Sequence, residues 1–114
     1  MKITDGFPEV IKQHFPQAEI PFPGLAGWLL QGEDCQLVFS EFKERFETPE
    51  HRHAVHWGLI LEGEATMTIN GETKTYRAGE YYIVPADTPH SASIKAGTKS
   101  IDLWLQPDYV KPRV

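Results

Sequence analysis

The sequence predicts an all-β domain, and three features support that prediction. Short β-type segments follow one another from Leu25 onward. Gly, Asn and Asp, which turns require, stand between these segments. Eight or so short strands at near-regular spacing indicate a β-sandwich or a small barrel. The predicted strands read GLAGWLLQ, CQLVFSEF, WGLILE, EATMTI, ETKTYR, YYIVP, HSASIK and KSIDLWLQ.

The first quarter of the chain differs in character from the rest. The segment FPEVIKQHF predicts one short helix, because Pro8 falls in its first turn and Pro16 comes just past its end. PFPG at 21–24 then interrupts the chain before the strands begin. His14 lies near the end of the predicted helix and is a poor candidate for a metal ligand, because no other ligand-type cluster is near it in sequence.

One turn and one strand of this pattern predict further details of the fold. Asn70-Gly71 predicts a two-residue type I′ hairpin between EATMTI and ETKTYR, because both residues accept positive φ. WGLILE is apolar at nearly every position, which suits a strand that is covered on both faces. We expect one face inside the barrel and the other against a second sheet or subunit.

Composition limits the classes of function. The chain has 114 residues, enough for one domain. Its net charge of −5, with basic residues scattered singly, argues against a nucleic-acid partner. The apolar runs are too short to span a membrane, and the opening MKITDGFPEV lacks the apolar region of a secretory signal. Cys35 is the only cysteine, so no internal disulfide forms and a cytoplasmic location is expected.

The segment HRHAVHWGLILEGE, residues 51–64, concentrates three of the five histidines. On a strand, His51 and His53 point to the same face, where two neutral imidazoles can bind one divalent ion. His56 lies three residues after His53, so on a continuous strand it would point to the opposite face. It can join the other two only if Ala54 and Val55 form a bulge or a turn. His90 opens a later strand and can complete the set if the sheet rolls into a barrel. The HxH pattern alone is a weak signal, because two solvated histidines on an edge strand are its default interpretation.

The segment that ends at His90 resembles the second motif of the cupins, G(X)5PXG(X)2H(X)3N. Gly79, Pro85 and His90 stand at the spacing of that motif. Asp87 stands at the usual Gly position and Ile94 at the usual Asn position. Both positions are structural in the family rather than metal-binding.

The first cupin motif, G(X)5HXH(X)3–4E(X)6G, is similar to the segment that contains His51, His53 and Gly63. His56 occupies the position of the family's metal-binding Glu, seven residues before Gly63. Only two residues separate His53 from His56, where the family has three or four.

The resemblance covers residues 38–105 and implies a jelly-roll barrel, the double-stranded β-helix of the cupins, behind a short N-terminal helix. We expect one domain over 1–114, with the barrel core at 38–105 and an N-terminal helix and strand arm at 1–34. The resemblance also implies a divalent transition metal such as Fe, Mn, Co, Ni or Zn. Its implied ligands are His51, His53 and His90, with His56 as the fourth.

The ligand set has chemical consequences. Four neutral imidazoles leave the full charge of a divalent ion in place, which makes it a stronger Lewis acid than a site that contains a Glu. Four protein ligands around an octahedral ion leave two adjacent positions, where a small bidentate anion can chelate. The substrate itself is not predictable, because one fold hosts many functions.

Two functions from different classes fit the resemblance. The first is a small-molecule metalloenzyme, dioxygenase-like or isomerase-like. The alternative is a non-catalytic ligand-binding or sensor cupin, and a storage or structural role is a third. Similar cupins form dimers, which implies a homodimer that uses outward residues of WGLILE and GLAGWLLQ. The other interpretation is that the N-terminal segment folds over its own barrel and covers the same residues.

Overall fold

Two antiparallel sheets form the fold in a computed structural model that describes residues 6–20 and 22–113. The start of the chain and Pro21 lie outside these ranges, so the expectation about a secretory signal and part of the PFPG break concern undescribed residues. The elements are α1 Glu9–His14, β1 Ala18–Glu19, β2 Leu25–Gln31, β3 Gln36–Phe42, β4 Phe46–His51, β5 His56–Glu62, β6 Glu64–Ile69, β7 Glu72–Arg77, β8 Tyr81–Val84, β9 His90–Ile94, β10 Lys99–Trp104 and β11 Lys111–Pro112.

The strand order is that of a jelly roll. One sheet has the order β2-β3-β10-β5-β8, and the other has the order β4-β9-β6-β7. Strands distant in sequence are neighbours in both sheets, and every pair of strands is antiparallel. Two facing sheets of this connectivity are the jelly-roll architecture. The predicted all-β barrel with a short N-terminal helix is therefore confirmed.

The main core lies between the two sheets. Alternate residues of each strand point inward, as the period of two requires. Ile60 and Val84 enter from the five-stranded sheet, and Ala65, Met67 and Ile94 enter from the four-stranded sheet. Met67 and Ile94 also line a cavity, so the core continues into its wall.

The turns follow the sequence closely. Asn70 and Gly71 have φ angles of 50° and 82°, and they join β6 to β7 as predicted. Asp87 has a φ of 53°. This left-handed conformation suits the Gly that is usual at this position of the motif, and Asp accepts it more readily than most residues do.

The N-terminal helix covers part of the outer face of the five-stranded sheet. Phe7 and Phe15 pack against Phe39, with ring centroids 5.4 and 5.8 Å apart. The buried Glu41 carboxylate accepts a hydrogen bond from the Phe7 amide at 2.7 Å. It also forms an ion pair with Lys12 at 3.2 Å. The segment therefore folds over its own barrel at β2 and β3.

Strand β8 carries exposed side chains on the same outer face. Tyr81 is 57% exposed and Ile83 is 52% exposed, although both are apolar residues on β8. Trp57 lies beside them, with its ring centroid 6.3 Å from that of Tyr81. We call these three residues the outer patch.

Residues 105–113 return across the end of the barrel. The side chain of the buried Gln36 donates to the carbonyl of Val110 at 2.8 Å and accepts from its amide at 2.9 Å. Gln31 donates to the carbonyl of Pro107 at 2.9 Å. Strand β11 then pairs with β1. The C-terminal segment is therefore tied to the barrel by glutamine side chains and a short ladder.

Three strands were not predicted, namely β4 and the two-residue strands β1 and β11. Residues 46–51 read FETPEH, which has polar residues and Pro49 where a strand pattern is expected, yet they form β4 at the edge of the four-stranded sheet. An edge strand tolerates proline because one of its sides makes no ladder hydrogen bonds.

Among the described residues, no helix is long and apolar enough to cross a membrane.

Candidate metal centre

Three of the predicted ligands lie together at one end of the barrel. His51 is the last residue of β4 and is paired with His90, the first residue of β9. His53 lies just beyond β4, in the loop that leads to β5. The potential ligand nitrogens of these three residues all lie within 4.8 Å of one another. We call His51, His53 and His90 the histidine cluster.

The backbone fixes the tautomer of each ring in the cluster. The Nδ1 atoms lie 2.9, 2.7 and 2.9 Å from the carbonyl oxygens of Pro49, Ala54 and Thr88 respectively. A carbonyl oxygen can only accept, so each Nδ1 donates its proton. Each Nε2 atom is then left with a lone pair, which is the form that binds a metal.

Two of these lone pairs face each other. His53 Nε2 and His90 Nε2 are 2.9 Å apart. Neither atom carries a proton when both Nδ1 atoms donate to carbonyl groups, so a direct hydrogen bond between them is excluded. Such a contact is favourable only when a cation or a proton lies between the two nitrogens.

Burial favours the neutral form of His53 and His90. The pKa of His53 is lowered from 6.5 to about 4, mainly by burial and also by the neighbouring histidines, although the hydrogen bond to Ala54 raises it. Burial also lowers the pKa of His90, assisted by His51 and His56. Neutral rings are the form that metal binding requires.

His56 lies beside the cluster but is held differently. Its ring centroid is 5.6 Å from that of His53. Its Nε2 atom is 3.0 Å from Oδ1 of Asp102, and its Nδ1 atom is buried without a hydrogen-bond partner among the described residues. The fourth-ligand role stays a prediction, and Nδ1 is the atom that can fill it.

The buried carboxylate of Asp102 organises this side of the cavity. Its Oδ2 atom accepts hydrogen bonds from Ser40 at 2.9 Å and Ser100 at 2.7 Å. Its Oδ1 atom accepts from His56 and, at 3.3 Å, from the hydroxyl of Tyr82. The four donors satisfy the carboxylate and lock the His56 ring in place.

The adjacent tyrosines point to opposite faces. Tyr82 enters the barrel and reaches Asp102 with its hydroxyl, whereas Tyr81 lies on the outer face. Gly58 lies directly opposite Tyr82 on β5, and a Cβ atom at residue 58 would collide with the Tyr82 ring. Burial, followed by the charge of Asp102, raises the pKa of Tyr82 well above 10.

A stack of rings forms one wall of the site. Trp104 stacks on His56 with centroids 4.4 Å apart, and Tyr109 stacks on the other side of Trp104 at 4.5 Å. Tyr109 also meets His53 edge-on at 5.0 Å. The C-terminal segment therefore contributes directly to the surroundings of the histidine cluster.

The cluster opens into a cavity of about 760 Å³. Its walls are mostly apolar and include Phe42, Phe46, Met67 and Ile94. The polar part of the lining includes the four histidines and Asp102, together with Glu19, Ser40, Thr48, Lys111 and Arg113. A concave apolar cavity with a few convergent polar groups is the usual form of a small-molecule site.

The family follows from a sequence comparison. Residues 38–103, more than half of the chain, match the family model Cupin_2, described as the cupin domain. The chain belongs to the cupins. A comparison with curated proteins finds no match. The resemblance of the two histidine motifs to the cupin motifs is therefore confirmed.

Solved structures share the cupin fold. An RmlC-like cupin from Shewanella frigidimarina is 25% identical, with 82% of this chain and 86% of that chain covered and a TM-score of 0.70. KdgF from Halomonas sp. is 21% identical, with 85% and 86% covered and a TM-score of 0.67. The oxalate decarboxylase of Lactobacillus farciminis, in a formate complex, is 19% identical, with 82% and 31% covered and a TM-score of 0.67.

The sequence patterns missed part of this cupin site. Asp102 and Trp104 were not identified. The segment SIDLW nevertheless places Ser100, Asp102 and Trp104 on the same face of the strand. All three residues are buried, so this face of the strand points into the barrel. A charged residue at an inward position is rare unless it is paired, and that is the signal that could have identified Asp102.

Proposed function

We propose that this cupin binds a divalent transition metal through the Nε2 atoms of His51, His53 and His90. The observation that carries the proposal is the 2.9 Å contact between the unprotonated Nε2 atoms of His53 and His90. Two nitrogens about 2.1 Å from one ion and at a right angle lie about 3.0 Å apart. The three carbonyl contacts supply the outer hydrogen bonds that orient ligating histidines.

His56 has two roles open to it. The motif position favours a fourth ligand, through the unpartnered Nδ1 atom. The hydrogen bond to Asp102 would then orient the ring, as carboxylates do for other metal-binding histidines. The alternative is that Nδ1 contacts the molecule bound in the cavity.

The reaction class we propose is that of a small-molecule metalloenzyme, dioxygenase-like or isomerase-like. A bound divalent ion would polarise an oxygen of the substrate as a Lewis acid and provide positions for a bidentate anion. The chain itself would exclude water with its apolar walls and hold the anion at the histidine cluster. The similar oxalate decarboxylase, in its formate complex, supports a small carboxylate as the ligand class.

The second candidate is a non-catalytic binding or sensor protein. The observation that favours it is the satisfied state of Asp102, whose four hydrogen bonds leave it no free acceptor for a substrate proton. Besides Asp102, the described cavity lining contains one acidic residue, Glu19 on β1. Turnover of a bound anion separates the two functions.

We also propose a homodimer that is formed through the outer patch of Trp57, Tyr81 and Ile83. The exposure of Tyr81 and Ile83 supports a partner surface there. In this proposal residues 1–114 act as one domain, with the barrel core at 38–105 and the arm at 1–34. A cytoplasmic location is proposed from the single cysteine.

The test is elemental analysis of protein purified without an affinity tag or chelator. We expect near-stoichiometric Fe, Mn, Co, Ni or Zn, and its loss in the His51→Ala/His53→Ala double variant. His14→Ala is the matched control and should keep the metal, because His14 is exposed on α1. A wild-type protein that is free of metal and does not take up added Zn²⁺ or Mn²⁺ would overturn the proposal.

A further inference from the structure

Two buried polar atoms beside the histidine cluster lack a hydrogen-bond partner among the described residues. They are Nδ1 of His56 and Nε1 of Trp104. His56 is 7% exposed, Trp104 is 9% exposed, and both line the cavity. An unpaired buried polar atom costs about 1–3 kcal/mol, and native structures pair nearly all of them. A partner from outside the chain would satisfy both atoms.

The two atoms have opposite hydrogen-bonding character. The Asp102 carboxylate only accepts, so Nε2 of His56 carries the proton and Nδ1 carries the lone pair. The indole Nε1 of Trp104 can only donate. The site therefore offers one acceptor and one donor that no described residue pairs with.

The rings that carry the acceptor and the donor are stacked on each other. His56 and Trp104 are paired across β5 and β10, and their rings stack with centroids 4.4 Å apart and 20° between planes. A hydroxyl group both donates and accepts. An ionised carboxylate only accepts and an ammonium group only donates, so either would leave one of the two atoms unpaired. The pair thus matches a hydroxyl group of a ligand.

The neighbouring groups define the rest of the ligand. The histidine cluster lies next to His56, and under the proposed function it holds an anionic oxygen through the metal. The same cavity is also lined by the apolar side chains of Phe42, Phe46 and Met67. We infer that the ligand is a hydroxy acid with an apolar body, whose hydroxyl binds His56 and Trp104 and whose carboxylate binds at the histidine cluster.

This inference rests on the proposed metal site for binding of the carboxylate. It also distinguishes the two roles proposed for His56, a fourth metal ligand or a contact to the bound molecule. If Nδ1 were a fourth metal ligand, the indole of Trp104 would still lack an acceptor. A hydroxyl group satisfies both atoms at once. The structure thus favours a ligand contact for His56 over metal ligation.

The experiment compares mandelate with phenylacetate, which differ only by one hydroxyl group. Binding of each acid is measured by calorimetry on the full chain, both Zn²⁺-loaded and metal-free. We expect the Zn²⁺-loaded wild-type protein to bind mandelate about fivefold more tightly, the size of one net hydrogen bond.

Two variants remove one atom each. His56→Gln keeps a donor for Asp102 near the position of Nε2 and loses the Nδ1 acceptor. Trp104→Phe keeps the stacked ring and loses the Nε1 donor. The matched controls are His14→Gln on the exposed face of α1 and Trp28→Phe on the outer face of β2. We expect the preference for mandelate to disappear in the first two variants and to persist in both controls.

The outcomes are distinguishable. Loss of the mandelate preference with full Zn²⁺ content in His56→Gln supports the inference. Loss of Zn²⁺ in His56→Gln shows a fourth metal ligand and overturns it. Equal binding of the two acids by the wild-type protein, or binding of neither, also overturns it. A wild-type protein that binds no metal yet still prefers mandelate would refute only the proposed metal function.

Discussion

Asp102 lies directly opposite Gly58 across the β5–β10 pair, and its carboxylate holds His56 at 3.0 Å. This arrangement places a charge inside a barrel that is otherwise mostly apolar. Gly58 leaves room for the Tyr82 ring, and the Tyr82 hydroxyl in turn reaches the same carboxylate. The polar side of the cavity is therefore one connected unit, whose parts can be tested separately.

Asp102→Ala should destabilise the protein by about 2–4 kcal/mol, because it leaves several buried donors without an acceptor. Ser40, Ser100 and Tyr82 all lose a hydrogen bond in this variant. Urea unfolding of the metal-free protein measures the change in the free energy of unfolding. The exposed carboxylate of Glu72 provides the control, and Glu72→Ala should change stability by less than about 0.5 kcal/mol. Equal stability of the two variants would show that Asp102 does not organise the interior.

Gly58→Ala should also destabilise the protein, by about 1–3 kcal/mol, because a methyl group at this position meets the Tyr82 ring. The same substitution in a Tyr82→Leu background should cost clearly less, since the ring is then absent. A double-mutant cycle based on urea unfolding gives the coupling between the two positions. Coupling near zero would contradict the proposed contact.

The metal-free protein should lose stability as the pH falls from about 6.5 to about 4. Burial lowers the pKa of His53 to about 4 in the folded state, whereas the unfolded value is near 6.5. Between these values the unfolded state binds more protons, so the free energy of unfolding decreases as the pH decreases. The lowered pKa of His90 acts in the same direction.

Thermal unfolding at a series of pH values measures this effect. His53→Gln removes the titrating ring and should make stability depend less on pH in the same window. The comparison separates the contribution of His53 from the titration of carboxylates. A wild-type stability that rises toward pH 4 would contradict the lowered pKa. Metal affinity should fall in the same direction, because protons compete for the Nε2 atoms.

Charge on the outer patch should prevent dimer formation. Tyr81→Arg/Ile83→Glu places two charges on a surface that the proposed dimer would bury, without changing an inward residue. Light scattering after size-exclusion chromatography should show a dimer for the wild-type protein and a monomer for this variant. Val10→Glu, at an exposed apolar residue of α1, is the control and should stay dimeric. A monomeric wild-type protein would rule out the proposed dimer.

The sequence predicted the strands better than it predicted the site. WGLILE and YYIVP have patterns that depend on neighbouring residues alone, so β5 and β8 were found from local information. The strand at 46–51 was missed because its stability comes from pairing with β9, which lies far away in sequence. His51 and His90 were identified through spaced motifs, and the structure brings them together by that same pairing.

The position of His56 shows why the rest was not predictable. The motif placed it among the ligands, but its orientation depends on Asp102, which lies 46 residues further along the chain. Nothing near residue 56 in the sequence indicates that partner. Side-chain orientation in a barrel is set by strands that meet only after folding, so a motif gives the location of a histidine but not the atom it presents.

The two hydrogen bonds between Gln36 and Val110 have an evolutionary consequence. They fasten the segment that carries Tyr109 to the barrel, so this part of the cavity wall is not made by the barrel strands. Substitutions of Tyr109, which is 38% exposed, can therefore reshape the region over His53 without changing a strand of either sheet. A new ligand preference can arise in that segment without the loss of stability that changes in a packed interior usually bring.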